Sequence, residues 1–190
     1  MADSNITKKA LGDAMKALMA EKSFAKISIS DICERCSMNR QSFYYHFRDK
    51  YDLVNWIFYT ELIQKLQASP NSDGWSLLQD VCGYFYENRP FYVNALRVTG
   101  QNSFTDYFAD VLHAIVQPYF EDIFSEDEAH VAFYVQLFTD VCRAAITRWL
   151  VDEAEIPPEQ FVCLVRHAVI SMSKCVQQDE TASRGAPAAL

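Results

Sequence analysis

The stretch SISDICERCSMNRQSFYYHFRDK, residues 28–50, predicts a helix, a tight turn and a second helix. Ser28 is a preferred N-cap residue, and Asp31 follows three positions later, which together indicate a capping-box-like helix start. The apolar positions of this first helix recur at helical spacing and share one face. They are Ile29, Ile32, Cys33 and Cys36.

The second helix of the stretch begins after an interruption at Ser37 and Met38, where Asn39 is a second N-cap candidate. Phe43 and Phe47 lie four residues apart, so both point to one side and anchor the helix inward. The other side carries hydrogen-bonding and aromatic side chains. They are Arg40, Gln41, Ser42, Tyr45 and His46. A short helix with such a face suits the major groove of DNA.

Over residues 6–60 the chain resembles the DNA-binding region of TetR/AcrR transcriptional regulators. The start SISDIC, the turn CSMN and the run SFYYHF carry this resemblance, with Lys50 and Leu53 just after. The segments DICERC, QSFYYHFRDKYDLVNWIF and GQNSFTDYF are similar to the subgroup that regulates dihydroxyacetone-kinase operons. The resemblance implies a double-stranded DNA operator as partner. The expected DNA-binding residues are Ser28, Asn39, Arg40, Gln41, Ser42, Tyr44, Tyr45, His46 and Lys50.

Two residues depart from the family pattern. Ser37 stands where members usually carry glycine, in a turn position that takes a positive φ, so serine there costs up to about 1 kcal/mol. Gln41 stands where many members carry glycine and the backbone comes close to DNA. This second departure bears on base preference rather than on the way the helix docks.

The net charge of −8 is unusual for a DNA-binding protein, but the charge is unevenly distributed. Residues 1–50 hold nine lysines and arginines against six acidic residues, a net charge of +3. The remaining 140 residues hold eight and nineteen, a net charge of −11. A basic unit joined to a larger acidic one is typical of a localised DNA footprint. Ordinary variation in surface charge is the alternative explanation.

The sequence predicts a cytoplasmic protein. No apolar run reaches the ~18 residues that a membrane span needs, and the start MADSNITKK lacks the apolar core of a signal peptide. The six cysteines are scattered over apolar helical positions, which argues against a disulfide framework in a reducing compartment.

No chemistry beyond binding is indicated. Cys33 and Cys36 form a CxxC pair, but only His46 is near them in sequence, so core packing is favoured over a metal or redox site. No glycine-rich phosphate loop or nucleophile elbow occurs. We therefore expect no cofactor, no metal and no enzymatic activity. The alternative is an enzyme that acts on small aromatic substrates, and the missing set of catalytic residues argues against it.

The chain is predicted to be all-α, with about nine helices. Residues 1–50 form the helix-turn-helix domain, with a frayed start at 1–5 and a first helix over 6–21. Residues 51–178 form a regulatory and dimerisation domain, and 179–190 a disordered tail. A connector helix over 49–67 is expected to be the one element that touches both domains and to carry the signal. The later helices are predicted over 75–87, 91–97, 104–117, 126–151 and 157–177, the fourth capped by Ser125.

The second domain is rich in aromatic residues between Trp75 and Tyr134. The family resemblance implies an effector pocket between helices here, and simple core packing is the alternative for each residue. The polar candidates for such a pocket are Tyr84, Tyr107, His113 and Arg143. Resemblance to the dihydroxyacetone-kinase subgroup also leaves open a face that binds a partner protein.

The last helix carries an apolar stripe, which the resemblance places at a homodimer interface. The stripe consists of Phe161, Leu164, Val165, Ala168, Val169 and Met172. The preceding helix offers Phe138, Cys142, Ala145, Ile146 and Trp149. The alternative is that both stripes face their own core.

The sequence thus predicts a DNA-binding transcriptional regulator controlled by a small molecule or a partner protein. A helical interaction module or co-activator that signals through a protein partner is the second interpretation.

Overall fold

We describe the protein from a computed structural model, over residues 2–67, 73–98, 103–123, 128–152 and 155–184. Every regular element within these ranges is helical, as the all-α prediction requires. The expected Ser125 cap, and the loop and tail residues 68–72 and 185–190, lie outside the described residues.

The N-terminal unit contains three α-helices and a short 3-10 turn. They are α1 (Ala2–Glu21), the 3-10 turn (Phe24–Lys26), α2 (Ile29–Arg35) and α3 (Arg40–His46). Helix α1 already begins at Ala2, which corrects the expectation of a frayed start at 1–5. Leu11 and Met15 of α1 pack with Ile32 of α2 and Phe43 of α3, and all four are 0% exposed.

The connector helix, α4, consists of three consecutive pieces: Lys50–Phe58, a π-helical segment Tyr59–Ile63 and a final turn Gln64–Gln67. Asp49 caps it, since its Oδ1 accepts hydrogen bonds from the backbone N–H groups of Tyr51 and Asp52 at 2.9 and 2.8 Å. Within the π segment, the Thr60 hydroxyl donates to the carbonyl oxygen of Trp56 at 2.8 Å. Such π segments are rare and often lie at functional positions.

The described residues of the C-terminal unit form five helices. They are α5 (Gly74–Glu87), α6 (Arg89–Leu96), α7 (Phe104–Ile123), α8 (Glu128–Val151) and α9 (Pro158–Arg184). Helix α7 continues through Pro118, further than predicted. Helix α9 extends to Arg184, so residues 179–184 are helical instead of belonging to the expected disordered tail.

One hydrophobic core runs through both units. Its centre is Phe58 of α4, which is 0% exposed and has ring-centroid distances of 5.7 Å to Phe85, 5.3 Å to Phe104 and 6.0 Å to Phe108. Tyr92 of α6 stacks on Phe85 at 4.3 Å. These contacts pack the connector against α5, α6 and α7.

The connector is not alone in touching both units, which corrects that expectation. Helix α6 of the C-terminal unit also packs directly on α1. The C-terminal unit therefore contacts the N-terminal unit along a second element.

Candidate nucleic-acid interface

The start of α3 is fixed by its cap. Asn39 has an extended backbone, and its Oδ1 accepts from the backbone N–H of Ser42 at 2.8 Å and from the Ser42 hydroxyl at 3.0 Å. On the inner side Phe43 and Phe47 are 0% and 3% exposed. A capped start and two buried aromatic anchors therefore hold the short helix in one orientation.

The outer face of α3 presents side chains that can reach DNA. Arg40 and Gln41 are exposed on its first turn. Tyr44 and Tyr45 are 52% and 82% exposed, an uncommon state for two adjacent large aromatic residues. His46 is half-buried, with its ring edge-on to Tyr45 at 4.9 Å. The face therefore combines base-reading and phosphate-contacting side-chain types.

The turn between α2 and α3 takes the strained conformation that the family resemblance implies. Ser37 has a φ of 56°, in the left-handed region that favours glycine. The backbone N–H of Met38 donates to the carbonyl oxygen of Cys33 at 2.8 Å and closes the turn. The sharp reversal between the two helices thus rests on a residue other than glycine.

A full capping box begins α2. The Ser28 hydroxyl accepts from the backbone N–H of Asp31 at 3.1 Å, and the Asp31 carboxylate accepts from the backbone N–H of Ser28 at 2.8 Å. Lys22 donates to the same carboxylate at 2.9 Å. The Ser28 N–H, with Lys22 and the Ser28 hydroxyl, lowers the pKa of Asp31 from 3.8 to about 2. The side chain of Ser28 is therefore engaged in the cap and is also exposed to solvent.

This carboxylate makes stability depend on acid pH. Because the pKa of Asp31 is lower in the folded protein, its contribution is present above about pH 4 and is lost as pH falls toward about 2. We expect Asp31→Asn to be less stable than the wild type at pH 7, with the difference narrowing between pH 4 and 2. Urea unfolding at a series of pH values measures this difference. A difference that stays constant across that range would contradict the role of the Asp31 charge.

Lys50 has partners within the protein. Its ammonium donates to the carbonyl oxygens of Phe24 and Ile27, both at 2.8 Å, and of Ala25 at 3.4 Å. It also lies 4.4 Å from the centroid of the Phe24 ring. In this state Lys50 ties the connector to the 3-10 turn. Its expected contact to a phosphate stays a prediction, in which a phosphate would compete with these carbonyls.

The CxxC pair belongs to the packing of α2. Cys33 is 2% exposed, and the Cys36 thiol donates to the Ile32 carbonyl oxygen at 3.3 Å. Burial raises the pKa of both thiols, which keeps them protonated. The five cysteines with described side chains are free thiols, and no group of metal-ligating side chains occurs among the described residues.

Comparison with known proteins assigns this architecture to a family. Residues 12–57 match the model described as "Bacterial regulatory proteins, tetR family", and residues 75–170 match the TetR model described as "Transcriptional regulator C-terminal region". The chain belongs to the TetR family. Its members are transcriptional regulators with a helix-turn-helix DNA-binding domain, which are not enzymes.

The similar proteins agree with the predicted subgroup. The chain is 33% identical over 93 residues to the HTH-type dhaKLM operon transcriptional activator DhaS of Lactococcus lactis. That match covers 48% of this chain and 50% of the relative, about half the length of each.

Solved structures share the fold along nearly the whole chain. The dihydroxyacetone kinase operon activator DhaS has a TM-score of 0.65 at 20% identity, covering 90% of this chain and 97% of that one. FadR from Bacillus subtilis in complex with stearoyl-CoA has a TM-score of 0.57 at 14% identity, covering 84% and 94%. At these identities the similarity shows the TetR fold alone.

The regulatory domain of this TetR-family chain contains a cavity of about 370 Å³ between α5, α7, α8 and α9. Its wall is almost entirely apolar, and Asp73 and Gly74 lie at the start of α5. The other lining residues are Trp75, Leu77, Leu78, Val81, Leu112, Ile115, Val116, Tyr119, Phe120, Phe138, Cys142 and Val169. In sequence these positions look like ordinary core residues, so no local pattern singled them out.

The four polar residues predicted for the pocket do not line this cavity. The Tyr84 hydroxyl donates to Glu61, and Tyr107 packs edge-on against Phe58 at 6.1 Å. Arg143 pairs with Asp140 at 3.4 Å, and His113 is half-buried on α7. The cavity is therefore more apolar than a pocket lined by the four predicted polar residues would be.

The predicted dimer stripe divides between two environments. Leu164, Ala168 and Val169 of α9 are exposed, whereas Val165 is half-buried and Phe161 stacks on Trp149 at 4.6 Å. The side chain of Met172 lies outside the described residues.

The residues expected on α8 also prove to face inward for the most part. Cys142, Ile146 and Trp149 are 5%, 1% and 8% exposed. The outer face of α8 carries a different apolar row at four-residue spacing. It consists of Phe133, Leu137 and Val141, which are 63%, 51% and 56% exposed.

The described residues of this TetR-family chain contain no helix long and apolar enough to cross a membrane.

Proposed function

We propose that the protein binds a specific operator as a homodimer, with α3 of each protomer in the major groove. The observation that carries this proposal is the outer face of α3. It exposes Arg40, Gln41, Tyr44 and Tyr45 on a helix whose opposite side is anchored by buried Phe43. A DNA-binding regulator of this kind acts in the cytoplasm, where its operator lies.

The charge distribution supports the same orientation. The excess of basic residues lies within residues 1–50, while the rest of the chain is strongly acidic. Lysines and arginines that neutralise phosphates supply most of the sequence-independent affinity of such proteins. The acidic C-terminal unit is repelled by DNA, so contact is restricted to the helix-turn-helix face.

Arg40 and Gln41 are proposed to read base edges. Both lie on the first turn of α3, from which side chains reach into the groove. Arginine pairs with guanine and glutamine with adenine, and each such pair discriminates by ~1–3 kcal/mol. Asn39 and Ser42 are already paired with each other in the cap. We therefore propose that these two residues fix the orientation of α3 and contact the DNA backbone.

The experiment for this proposal is selection of duplexes from a random DNA pool by the wild-type protein, followed by Arg40→Ala. We expect Arg40→Ala to weaken the selected duplex by ~10–100-fold and random DNA much less, so that sequence preference relaxes. Titrations on both duplexes at one salt concentration measure this. Equal weakening on both duplexes would instead identify Arg40 as a phosphate contact.

Arg48→Ala is the matched control for this arginine. Arg48 is exposed beside the start of α4, outside α3, and its guanidinium makes a surface contact to Asp49 at 3.4 Å. Its loss is expected to act equally on selected and random duplexes or not at all.

We further propose that the apolar cavity is the effector site. Its wall offers almost no hydrogen-bond partner, so a ligand there would be apolar over most of its surface. A small polyol would lose its hydration without compensation in such a site. If the signal is a small polar metabolite, we expect a partner protein to sense it and to bind this protein in turn. Control by a partner protein is therefore the second candidate.

Substitution at the edge of the cavity tests this site. Val169 of α9 lines the cavity and is 37% exposed, and Ile170 beside it is equally exposed without lining the cavity. We expect Val169→Trp to fill the cavity and weaken binding of the apolar dye Nile red by about tenfold, a loss of roughly 1.4 kcal/mol. Fluorescence titration measures this. Ile170→Trp is the control, and equal dye binding by both variants would place the dye elsewhere.

A further inference from the structure

The C-terminal end of α1 is held by a side chain from the other unit. The carbonyl groups of a last helical turn have no helical N–H partner and need another donor. Asn94 of α6 supplies it, since its Nδ2 donates to the carbonyl oxygens of Met19 at 3.0 Å and Lys22 at 2.9 Å. A residue of the regulatory unit thus acts as the cap of the first helix of the DNA-binding unit.

The same amide also holds the 3-10 turn that follows. The Asn94 Oδ1 accepts from the backbone N–H of Phe24 at 2.8 Å. Phe24 is 2% exposed, and the Lys50 ammonium donates to its carbonyl oxygen. Asn94 therefore uses both of its donor hydrogens and its acceptor on backbone groups of the other unit. Aspartate lacks the donors and an aliphatic residue lacks both functions.

A second polar bridge reaches the middle of α1. Glu61, in the π segment of the connector, accepts from the Lys16 ammonium at 2.7 Å and from the Tyr84 hydroxyl of α5. Burial, and next the hydrogen bond to Glu61, raise the pKa of Tyr84, so its hydroxyl stays a donor. Helix α1 is accordingly tied to the regulatory unit at two places along its length.

We infer that Asn94 is a positioning residue for DNA recognition, and that the Glu61 bridge shares this role. Helix α1 packs on both α2 and α3, so its angle to the regulatory unit sets where α3 lies. In a dimer that angle determines the distance between the two recognition helices, which must match successive major grooves about 34–36 Å apart. The inference rests on the proposed operator binding by a dimer.

The test separates positioning from folding through the spacing of the half-sites. The probes are the duplex selected by the wild type, the same duplex with its half-sites moved apart by one base pair, and a duplex with a single half-site. Asn94→Asp keeps the acceptor for Phe24 but places oxygen against the carbonyls of Met19 and Lys22. Asn94→Ala removes all three bonds.

Asn88→Asp is the matched control. Asn88 lies between α5 and α6, and its Nδ2 donates to the carbonyl oxygen of Tyr84 at 3.0 Å, entirely within the C-terminal unit. Its substitution removes a comparable donor without touching α1.

The wild type is expected to prefer the native spacing. We expect both Asn94 variants to reduce that preference by about fivefold or more, within the usual range of coupling between sites, with single half-site affinity unchanged. Asn88→Asp should keep the wild-type preference. This pattern is one that a merely destabilised protein would not produce.

A folded, dimeric Asn94 variant with the wild-type spacing preference would overturn the inference. So would a wild type indifferent to spacing, or a variant that also loses single half-site binding, since the DNA-binding unit itself would then be damaged. If neither Asn94 variant folds, Glu61→Gln, which removes the charge facing Lys16, is tested in the same way, and an unchanged preference again overturns the inference. A wild type that selects no duplex would instead refute operator binding.

Discussion

Leu137→Glu should convert the protein to monomers and reduce operator binding to the level of random DNA, a loss of ~10³-fold or more. Leu137 lies at the centre of the exposed row on α8, between Phe133 and Val141. Leu164 and Ile170 of the neighbouring α9 are also exposed, at 50% and 37%. Exposed large apolar side chains that share one helix face in this way indicate an interaction site.

The partner that we propose for this surface is a second copy of the chain. One recognition helix makes too few contacts for a specific site, and a two-fold dimer doubles them. A glutamate introduced at Leu137 would be buried in the two-fold interface, against the same region of the partner protomer. It would have no counter-charge there, which costs several kcal/mol. Ala168→Glu on α9, from the stripe predicted in the sequence, should act in the same direction.

Sedimentation velocity at micromolar concentration and operator titration measure the two effects. Ile6→Glu is the control, because Ile6 is 66% exposed but lies on α1, far along the chain from α8 and α9. A wild type that sediments as a monomer, or a Leu137→Glu variant that remains a dimer, would remove α8 from the interface.

Phe58→Ala should destabilise the protein by ~3–5 kcal/mol, the usual loss for a buried phenylalanine. Its ring is 0% exposed and lies within 6.1 Å, centroid to centroid, of rings on α5, α6 and α7. The surrounding rings belong to three different helices, so we expect a cavity to remain where the connector meets the C-terminal unit.

The connector is predicted to carry the signal between the two units. A test of that role needs a variant that alters coupling while leaving stability intact. The central position of Phe58 makes that separation unattainable with alanine. Phe58→Leu retains more of the buried volume and is the better variant for comparing operator affinities.

Urea unfolding of Phe58→Ala, with Tyr59→Ala as control, measures the stability change. Tyr59 is the adjacent aromatic residue on the connector and is 37% exposed, so its truncation should cost less than about 1 kcal/mol. Equal losses for the two variants would show that the aromatic cluster around Phe58 is not the centre of the core.

The helix-turn-helix could be predicted in detail because its signals are local. The Ser28–Asp31 capping box and the Asn39 cap each depend on residues within a few positions, whereas the positive φ of Ser37 was implied by the family resemblance. Phe43 and Phe47 needed only helical spacing to be placed on the inner face. Motifs of this kind are complete within a few consecutive residues, so residue type and spacing suffice to recognise them.

The faces of the later helices could not be predicted in this way. Helix α8 is apolar on two sides, with Cys142, Ile146 and Trp149 turned inward and the row of Phe133, Leu137 and Val141 turned outward. The 3.6-residue period is satisfied by either side, and only the position of α7 against α8 decides between them. The cavity has the same origin, since its lining comes from four helices far apart in sequence.

By itself, then, the sequence determined α2 and α3, their N-caps and the residues on the outer face of α3. Tertiary structure alone decided which polar side chains join the two units. Asn94 meets backbone groups 70 or more positions away, and Lys16, Glu61 and Tyr84 come from three different helical elements. A backbone carbonyl at a helix end is the same group in every sequence. No pattern of residues therefore predicts which distant side chain will donate a hydrogen bond to it.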